Sequence, residues 1–176
     1  RLGNVKIDLV ARTMDPVRTD AQFDLLPTAT FAEVTRTDIL CVPGGFGTLL
    51  VMEDEETLAW LRGVAESATC VTSVCTGSLV LAAAGLLKGY RATSLWAVAD
   101  VLPLMGASHV NERIVVDRNR ITAGGVTAAI DFGLMLAAKL SDEQTARRVQ
   151  LTLEYAPQPP FRAGTPEEAG PELTAF

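Results

Sequence analysis

The chain has 176 residues, of which 48% are apolar and 20% charged, and its formal net charge is −6. A chain of this length is expected to form one domain that buries roughly 70% of its unfolded surface without disulfides or metals. No apolar run approaches the ~18 residues of a membrane span, and the acidic balance offers no basic patch for a phosphate backbone. These features predict a soluble protein with neither a membrane nor a nucleic acid as partner.

The cysteine and histidine content argues against a disulfide-stabilised protein and against a metal-binding protein. Three cysteines at irregular spacing make no disulfide framework, and one histidine is too few for a metal-ligand cluster. We therefore expect a reducing, cytoplasmic setting and no bound metal. Cys41 and Cys70 each lie in an apolar run and are predicted to be packing residues of the core.

The first third of the chain predicts two strands, a glycine-rich loop and a helix. Residues 5–11 alternate apolar and polar side chains, as a half-buried strand does, whereas residues 12–37 have little periodicity and predict a loop. Residues 38–43 are typical of a fully buried strand. They end at Gly44-Gly45-Phe46-Gly47, whose backbone N–H groups are expected to face a ligand. Residue 54 has the position of an N-cap for a helix that ends near residue 68.

The remainder of the chain alternates strands with helices. Strands are predicted at 71–75, 91–95, 112–116 and 120–123, the last two as a hairpin, and helices at 79–84, 97–105, 127–140 and 141–153. Repeated Pro and Gly from residue 156 onward predict an irregular tail. The pattern predicts an α/β sandwich with a largely parallel sheet, organised as one domain over residues 1–155 and a tail over 156–176.

The stretch from Val71 to Ser78 has the pattern of a strand that turns sharply into a helix. Ser73 and Gly77 flank Cys75 in a small-x-nucleophile-x-Gly arrangement, which exposes the central side chain at the carboxyl end of a sheet. In such a turn the N–H groups of the following helix point at the sulfur and favour the thiolate. We therefore predict that Cys75 is the reactive residue.

Three segments are predicted to meet at one edge of the sheet. The glycine loop (residues 44–47), the elbow (residues 75–77) and the Gly124 turn (residues 124–127) each follow a strand and offer backbone N–H groups. Ligands of parallel sheets bind outside the carboxyl ends of the strands. A nucleophile that faces donors from two loops can stabilise a developing anion on a substrate.

Taken together, these motifs resemble the DJ-1/PfpI superfamily. The resemblance rests on Cys41-Val42-Pro43-Gly44-Gly45, on the elbow with its apolar helix, on Arg91-Ala92-Thr93, and on the run from Gly124 to Asp131. The segment from Ala146 to Phe161 is similar to the isocyanide hydratase branch. The resemblance implies a three-layer α/β sandwich of the class I glutamine amidotransferase type, and a homodimer.

The resemblance also implies a hydratase that needs no cofactor. In isocyanide hydratases the elbow cysteine attacks the isocyanide carbon, and water converts the resulting thioimidate to an N-substituted formamide. Carried onto this chain, Cys75 is the catalytic nucleophile and Thr76 is a catalytic polar partner beside it. The backbone N–H of Val126 is expected to donate toward the sulfur, and Gly45 and Phe46 to line the pocket for a small-molecule substrate.

Two departures from the family pattern bear on this expectation. The family supplies an acidic residue beside the cysteine from a first strand and turn, and the resemblance places Arg1 beyond that residue. Since that strand lies in the centre of the family's sheet, we expect a gap between the strands at residues 5–11 and 38–43, as in a truncated chain. Leu95 stands where relatives often have a histidine, which removes a Cys–His ion pair.

Two alternatives remain open. The ligand-sensing domain of AraC-type transcription regulators is similar in sequence, and in those proteins it precedes a helix-turn-helix region that is not seen in residues 1–176. A redox-responsive or glyoxalase-like relative would instead use Cys75 differently, through oxidation to a sulfinate or reaction with an aldehyde.

Overall fold

A computed structural model describes residues 2–3, 5–19 and 21–175. They fall into two units, one of residues 3–129 and one that contains residues 130–175. Both units contain helices, whereas the described strands all lie in the first one. No helix within the described ranges has both the length and the apolar composition to cross a membrane.

The N-terminal segment of the first unit contains four strands of two residues each. β1 (Val10–Ala11) pairs in parallel with β4 (Ala29–Thr30), and β2 (Val17–Arg18) pairs antiparallel with β3 (Asp24–Leu25). The loop predicted over residues 12–37 is therefore wrong in part, because it contains three of these strands.

The strand predicted at residues 5–11 is reduced to its last two residues. The apolar side chains of Val5, Ile7 and Leu9 are 37%, 77% and 50% exposed, although they alternate with polar residues as strand residues do. Alternation produces a strand only where a neighbouring strand or layer covers the apolar face. With Ile7 and Leu9 at least half exposed, this face is not covered as a strand face would be, and residues 5–9 lie outside the strands.

From residue 39 onward the first unit alternates strands and helices. In chain order these are β5 (Ile39–Val42), α1 (Thr48–Met52), α2 (Glu55–Ala65), β6 (Cys70–Val74), α3 (Gly77–Ala83), β7 (Arg91–Ala92), a 3-10 helix (Trp96–Met105), β8 (Ser108–His109), β9 (Ile114–Asp117) and β10 (Arg120–Ala123). The predicted strands, hairpin and helices of this region are confirmed with shifted ends. The prediction missed α1 and β8, and it made β7 too long.

Strands β5, β6, β10 and β9 form one sheet in that order. β6 lies between β5 and β10 and is parallel to both, while β9 is antiparallel to β10. The sheet is therefore mostly parallel, as predicted. Since parallel strands end at the same edge, their last residues Val42, Val74 and Ala123 bring the glycine loop, the elbow and the Gly124 turn together.

The core of the first unit consists of aliphatic side chains from the sheet and its helices. Its most deeply buried residues are Val64, Val71, Leu81, Leu87, Ala92 and Leu102. In α3, residues 77–82 are all buried, although the helix has only seven residues and no side-chain cap. Tertiary packing rather than intrinsic helix propensity therefore stabilises α3.

The cysteines outside the elbow are less buried than the sequence suggests. Cys41 is exposed and Cys70 is half-buried, so the prediction that both are core residues is wrong for Cys41 and only partly met by Cys70. In β5 the side chains of Leu40 and Val42 are buried, and Cys41 between them faces the opposite side. β5 is an edge strand in the described structure, and β1 lies in a different sheet, in agreement with the expected gap.

The second unit is helical. It contains most of α4 (Ala128–Leu140), then α5 (Glu143–Thr152), α6 (Pro166–Ala169) and α7 (Pro171–Thr174). Asp142 caps α5, because its carboxylate accepts a hydrogen bond of 2.7 Å from the Thr145 N–H. The prediction of a wholly irregular tail is wrong for α6 and α7. Each begins with a proline, whose missing N–H costs nothing in the first turn.

Candidate active site

The elbow holds Cys75 in a backbone conformation that is unusual for a residue with a side chain, with φ of +59°. Its N–H donates to the carbonyls of Ala123 at 3.0 Å and Gly124 at 2.7 Å. Its own carbonyl accepts hydrogen bonds from the hydroxyls of Ser78 at 3.2 Å and Ser94 at 3.0 Å. A left-handed non-glycine residue costs about 1–2 kcal/mol, and contacts on both sides of its backbone maintain it. The half-buried thiol therefore has a fixed place at the end of β6.

Two glycines allow the elbow to lie directly against the end of β5. A Cβ atom at Gly77 would come within 2.2 Å of the Val42 carbonyl oxygen. A Cβ atom at Gly44 would come within 2.6 Å of the Thr76 nitrogen and 2.8 Å of the Cys75 Cβ. Real Cβ atoms do not approach other atoms so closely, so both positions require glycine.

The glycine loop is bonded to the elbow through hydroxyl groups. The Gly45 N–H donates to Thr76 Oγ1 at 3.0 Å, and Thr76 Oγ1 lies 2.6 Å from Thr48 Oγ1. The Gly45 N–H is therefore not free to bind a ligand, which corrects the expectation for this residue. The Phe46 N–H donates to no acceptor within the described ranges. The Phe46 side chain is 89% exposed and is therefore not a core residue.

The Gly124 turn is held by backbone hydrogen bonds and by one side-chain bond, which Arg113 Nη2 donates to Thr127 Oγ1 at 3.1 Å. The Gly124 N–H donates to the Arg113 carbonyl at 2.9 Å, and the Gly124 carbonyl accepts the bond from Cys75. Among the residues that the structure describes, the Val126 N–H has no acceptor. The Val126 side chain is 78% exposed. The turn thus presents a free donor at the same edge of the sheet as Cys75.

The structure brings Cys75, Thr76 and Gly45 together and places the Gly124 turn beside them. Sequence reasoning missed three polar residues of the site, which are Thr48, Ser78 and Ser94. Ser78 was detectable as a hydroxyl three residues after the nucleophile, in the first turn of α3. Ser94 is separated from Cys75 by 19 residues, and no local pattern indicates their contact.

A histidine and a bound metal are two further kinds of group that can assist a cysteine. The histidine, His109, is in β8, where its Nδ1 lies 3.8 Å from Asp100 Oδ1. Nowhere in residues 2–3, 5–19 and 21–175 do three His, Cys, Asp or Glu side chains form a group that could hold a metal ion. The arrangement can therefore supply a thiol, a free backbone donor on each side of it and a cluster of hydroxyls.

Comparison with known sequences gives extensive matches. The sequence profile of the DJ-1/PfpI family matches residues 1–139. Isonitrile hydratase of Pseudomonas putida is 52% identical over 168 residues, which cover 96% of this chain and 74% of that protein. The HTH-type transcriptional regulator CdhR of Pseudomonas aeruginosa is 37% identical over 114 residues, which cover 64% of this chain and 34% of the regulator.

A solved structure has the same fold. A ThiJ/PfpI family protein from Pseudomonas syringae superposes with a TM-score of 0.93 at 48% sequence identity, over 96% of this chain and 71% of that one. The predicted family and α/β fold are both confirmed by these matches. On the profile match and on the identity over nearly its whole length, the chain belongs to the DJ-1/PfpI family.

Proposed function

We propose that the protein adds water to an isocyanide and releases an N-substituted formamide, with Cys75 as the nucleophile. The observation that carries this proposal is the 52% identity with isonitrile hydratase over 96% of the chain. The elbow supports it, because the Cys75 thiol is half-buried at the carboxyl ends of three parallel strands. The protein would then be a hydro-lyase with a small-molecule substrate.

The proposed reaction has two steps at the isocyanide carbon. The Cys75 sulfur attacks that carbon and the thiol proton is transferred to it, which gives the thioimidate Cys–S–CH=N–R. Water then adds to the same carbon, the nitrogen takes up a proton, and the C–S bond breaks. The thiol is regenerated and R–NH–CHO is released. The net change is isocyanide plus water to formamide, so no oxidant, reductant or cofactor is needed.

We assign the stabilisation of the charge that develops in this reaction to backbone N–H donors. The N–H groups of Val126 and Phe46 have no protein acceptor among the described residues, and they belong to the two loops that flank the elbow. A donor that is already fixed in place does not have to reorganise as charge develops. We assign the Val126 N–H to the sulfur and the exposed Phe46 ring to the wall of the substrate pocket.

The proposal is tested by incubating the purified protein with an alkyl or aryl isocyanide and measuring formamide by mass spectrometry. The expected result is formamide from the wild type and none above background from Cys75→Ala. Cys41→Ser is the matched control, because Cys41 is an exposed cysteine outside the elbow and its loss should leave turnover unchanged. Formamide production by Cys75→Ala, or none by the wild type, would contradict the proposal.

A ligand-sensing domain of a transcription regulator is the second candidate. It is favoured by the 37% identity with CdhR over 64% of this chain. A sensor binds its ligand without turnover. An isocyanide that raises Tm of the wild type but is recovered unchanged would therefore favour the sensor over the hydratase.

We further propose that the protein acts as a homodimer in the cytoplasm. The dimer is what the family resemblance implies, and the cytoplasmic setting is inferred from three cysteines that form no disulfide pattern. Light scattering on a size-exclusion column should give twice the mass of the chain. A monomeric mass at all concentrations would overturn the dimer.

A further inference from the structure

Thr48, the first residue of α1, has a buried hydroxyl group that lies between the glycine loop and the elbow. The side chain is 7% exposed. Its Oγ1 lies 2.7 Å from the Gly45 carbonyl oxygen and 2.6 Å from Thr76 Oγ1. Thr76 Oγ1 in turn accepts from the Gly45 N–H at 3.0 Å and lies 3.4 Å from the Gly45 carbonyl oxygen. Three residues thus form a closed ring of polar contacts.

The positions of the two hydroxyl protons follow from these distances. Each hydroxyl has one proton, and a carbonyl oxygen can only accept. If Thr48 donates to the Gly45 carbonyl, Thr76 donates to Thr48 and both short contacts contain a proton. In the opposite arrangement Thr76 would use the long contact of 3.4 Å, and two oxygens would face each other at 2.7 Å without a proton. The first arrangement is favoured, because short O–H···O contacts are the strong ones.

The ring engages both backbone polar groups of Gly45, its N–H and its carbonyl, at once. The Gly45 N–H donates to Thr76, Thr76 donates to Thr48, and Thr48 donates back to the Gly45 carbonyl. Gly45 has φ of +155° and has no atom within 4 Å of the position of a Cβ. Its backbone is held by the hydroxyl ring and by the Thr48 N–H, which also donates to the Gly45 carbonyl at 3.1 Å.

We propose that Thr48 is a positioning residue of the candidate active site. Its hydroxyl fixes the Gly45 peptide and the Thr76 hydroxyl against each other, and so holds the glycine loop with its free Phe46 N–H beside Cys75. The same geometry turns the Thr76 proton toward Thr48 and away from the thiol. Thr76 therefore acts by anchoring the loop rather than as a proton donor to Cys75. The proposal rests on the hydratase function for its turnover measurement alone.

The test compares Thr48→Val, which keeps the volume and removes the hydroxyl, with Thr48→Ser, which keeps the hydroxyl. In Thr48→Val we expect kcat for an isocyanide to fall about 10-fold with a smaller change in KM, because the loss of both hydrogen bonds of the Thr48 hydroxyl loosens the loop rather than the substrate contacts. Thr48→Ser should restore kcat to within about 3-fold of the wild type. Equal losses in both variants, or no loss in Thr48→Val, would overturn the proposal.

Two measurements do not depend on isocyanide turnover. The first is the rate at which iodoacetamide alkylates Cys75, followed by peptide mapping because Cys41 is also exposed. It should change in Thr48→Val and return to the wild-type value in Thr48→Ser. If the wild type makes no formamide, the hydratase proposal fails while this comparison still decides the role of Thr48. An alkylation rate that is the same in all three proteins contradicts that role.

The second measurement needs no variant and applies even if Thr48→Val does not fold. In the wild type the Gly45 amide is hydrogen-bonded, and the Phe46 amide has no acceptor among the described residues. Hydrogen exchange followed by NMR should therefore be at least about 10-fold slower at Gly45 than at Phe46. Equal exchange rates would show that the ring is not formed, and the proposal would be wrong.

Discussion

The glycine loop and the Gly124 turn have similar sequences, because both begin with two glycines and both follow a parallel strand. They differ in how closely they approach their surroundings. A Cβ atom at Gly44 would lie 2.6 Å from the Thr76 backbone nitrogen. At Gly124 and Gly125 the nearest atoms would be 3.5 Å and 3.7 Å away, which is ordinary van der Waals contact. Position 44 thus requires glycine, whereas positions 124 and 125 have room for a Cβ atom.

The two segments also differ in what fixes them. The glycine loop is held by the hydroxyls of Thr48 and Thr76 together with the backbone bond from the Thr48 N–H to the Gly45 carbonyl. The Gly124 turn is held by backbone bonds to Cys75 and Arg113 together with the side-chain bond from Arg113 to Thr127. Loss of the Thr48 or Thr76 hydroxyl should therefore displace the loop and leave the turn in place. A glycine pair in a sequence indicates a turn, but only the contacts around it show which glycine is required.

The largest effect is expected from Gly44→Ala. The new methyl group must displace backbone or the Cys75 side chain, so kcat/KM should fall about 100-fold or more and the free energy of unfolding by about 1–3 kcal/mol. Gly125→Ala is the matched control on the other side of Cys75, and it should change the free energy of unfolding by less than about 0.5 kcal/mol. Isocyanide turnover and urea denaturation measure both quantities. Equal losses in the two variants would remove the distinction between the two segments.

A smaller effect is expected from Ser94→Ala. The buried Ser94 hydroxyl donates to the Cys75 carbonyl, and its removal should lower the free energy of unfolding by about 1 kcal/mol. Ser78 still donates to the same carbonyl, so the elbow should persist. The rate of Cys75 alkylation reports on the elbow, and urea denaturation reports on the stability of the fold. Ser108→Ala, at an exposed serine of the same unit, should be neutral, and an equal loss there would refute the role of Ser94.

The smallest effect is expected from Asp117→Asn, in the hairpin that leads to the Gly124 turn. Hydrogen bonds from the Arg118 side chain and then from the Arg91 N–H lower the pKa of the Asp117 carboxyl. A lowered folded-state pKa adds stability above the unfolded pKa of about 3.9, and this contribution is lost as pH falls through the folded value. Wild type should therefore be slightly more stable than the variant at pH 7.

The stability difference between Asp117→Asn and wild type should shrink in acid, once the wild-type carboxyl is protonated. Thermal denaturation between pH 7 and the acid limit of the folded state measures it. Cys75 alkylation at pH 7 should be the same in both proteins, because Asp117 pairs with Arg120 at the turn end of the hairpin, whereas Cys75 bonds to Ala123 at the other end. A stability difference that grows as pH falls would contradict the sign of the shift.

Local pattern was sufficient for the elements that carry the candidate site. The β-branched run at 71–74 followed by Cys75 and Gly77 predicted β6 and the elbow, and the hairpin at 114–123 was visible from its alternation. The strands of the N-terminal region were harder to predict from local pattern. Residues 5–11 alternate as a strand does, yet only Val10 and Ala11 pair, because pairing depends on a partner strand. The helix α1 is too short for a recognisable period, so it was missed.

By itself the sequence determined the family, the parallel sheet and the position of Cys75 at the end of a strand, because these depend on periodicity and on residue types at close spacing. Only the tertiary structure decided that Gly44 touches the elbow, that Thr48 closes a ring with Gly45 and Thr76, and that Ser94 bonds to Cys75. The hydrogen bonds that join the elbow to Gly45, Thr48 and Ser94 connect residues 19 to 31 positions apart in the chain, so no local period indicates them. The strength of each hydrogen bond changes when its donor–acceptor distance changes by a few tenths of an ångström. These distances are fixed only when the strands align.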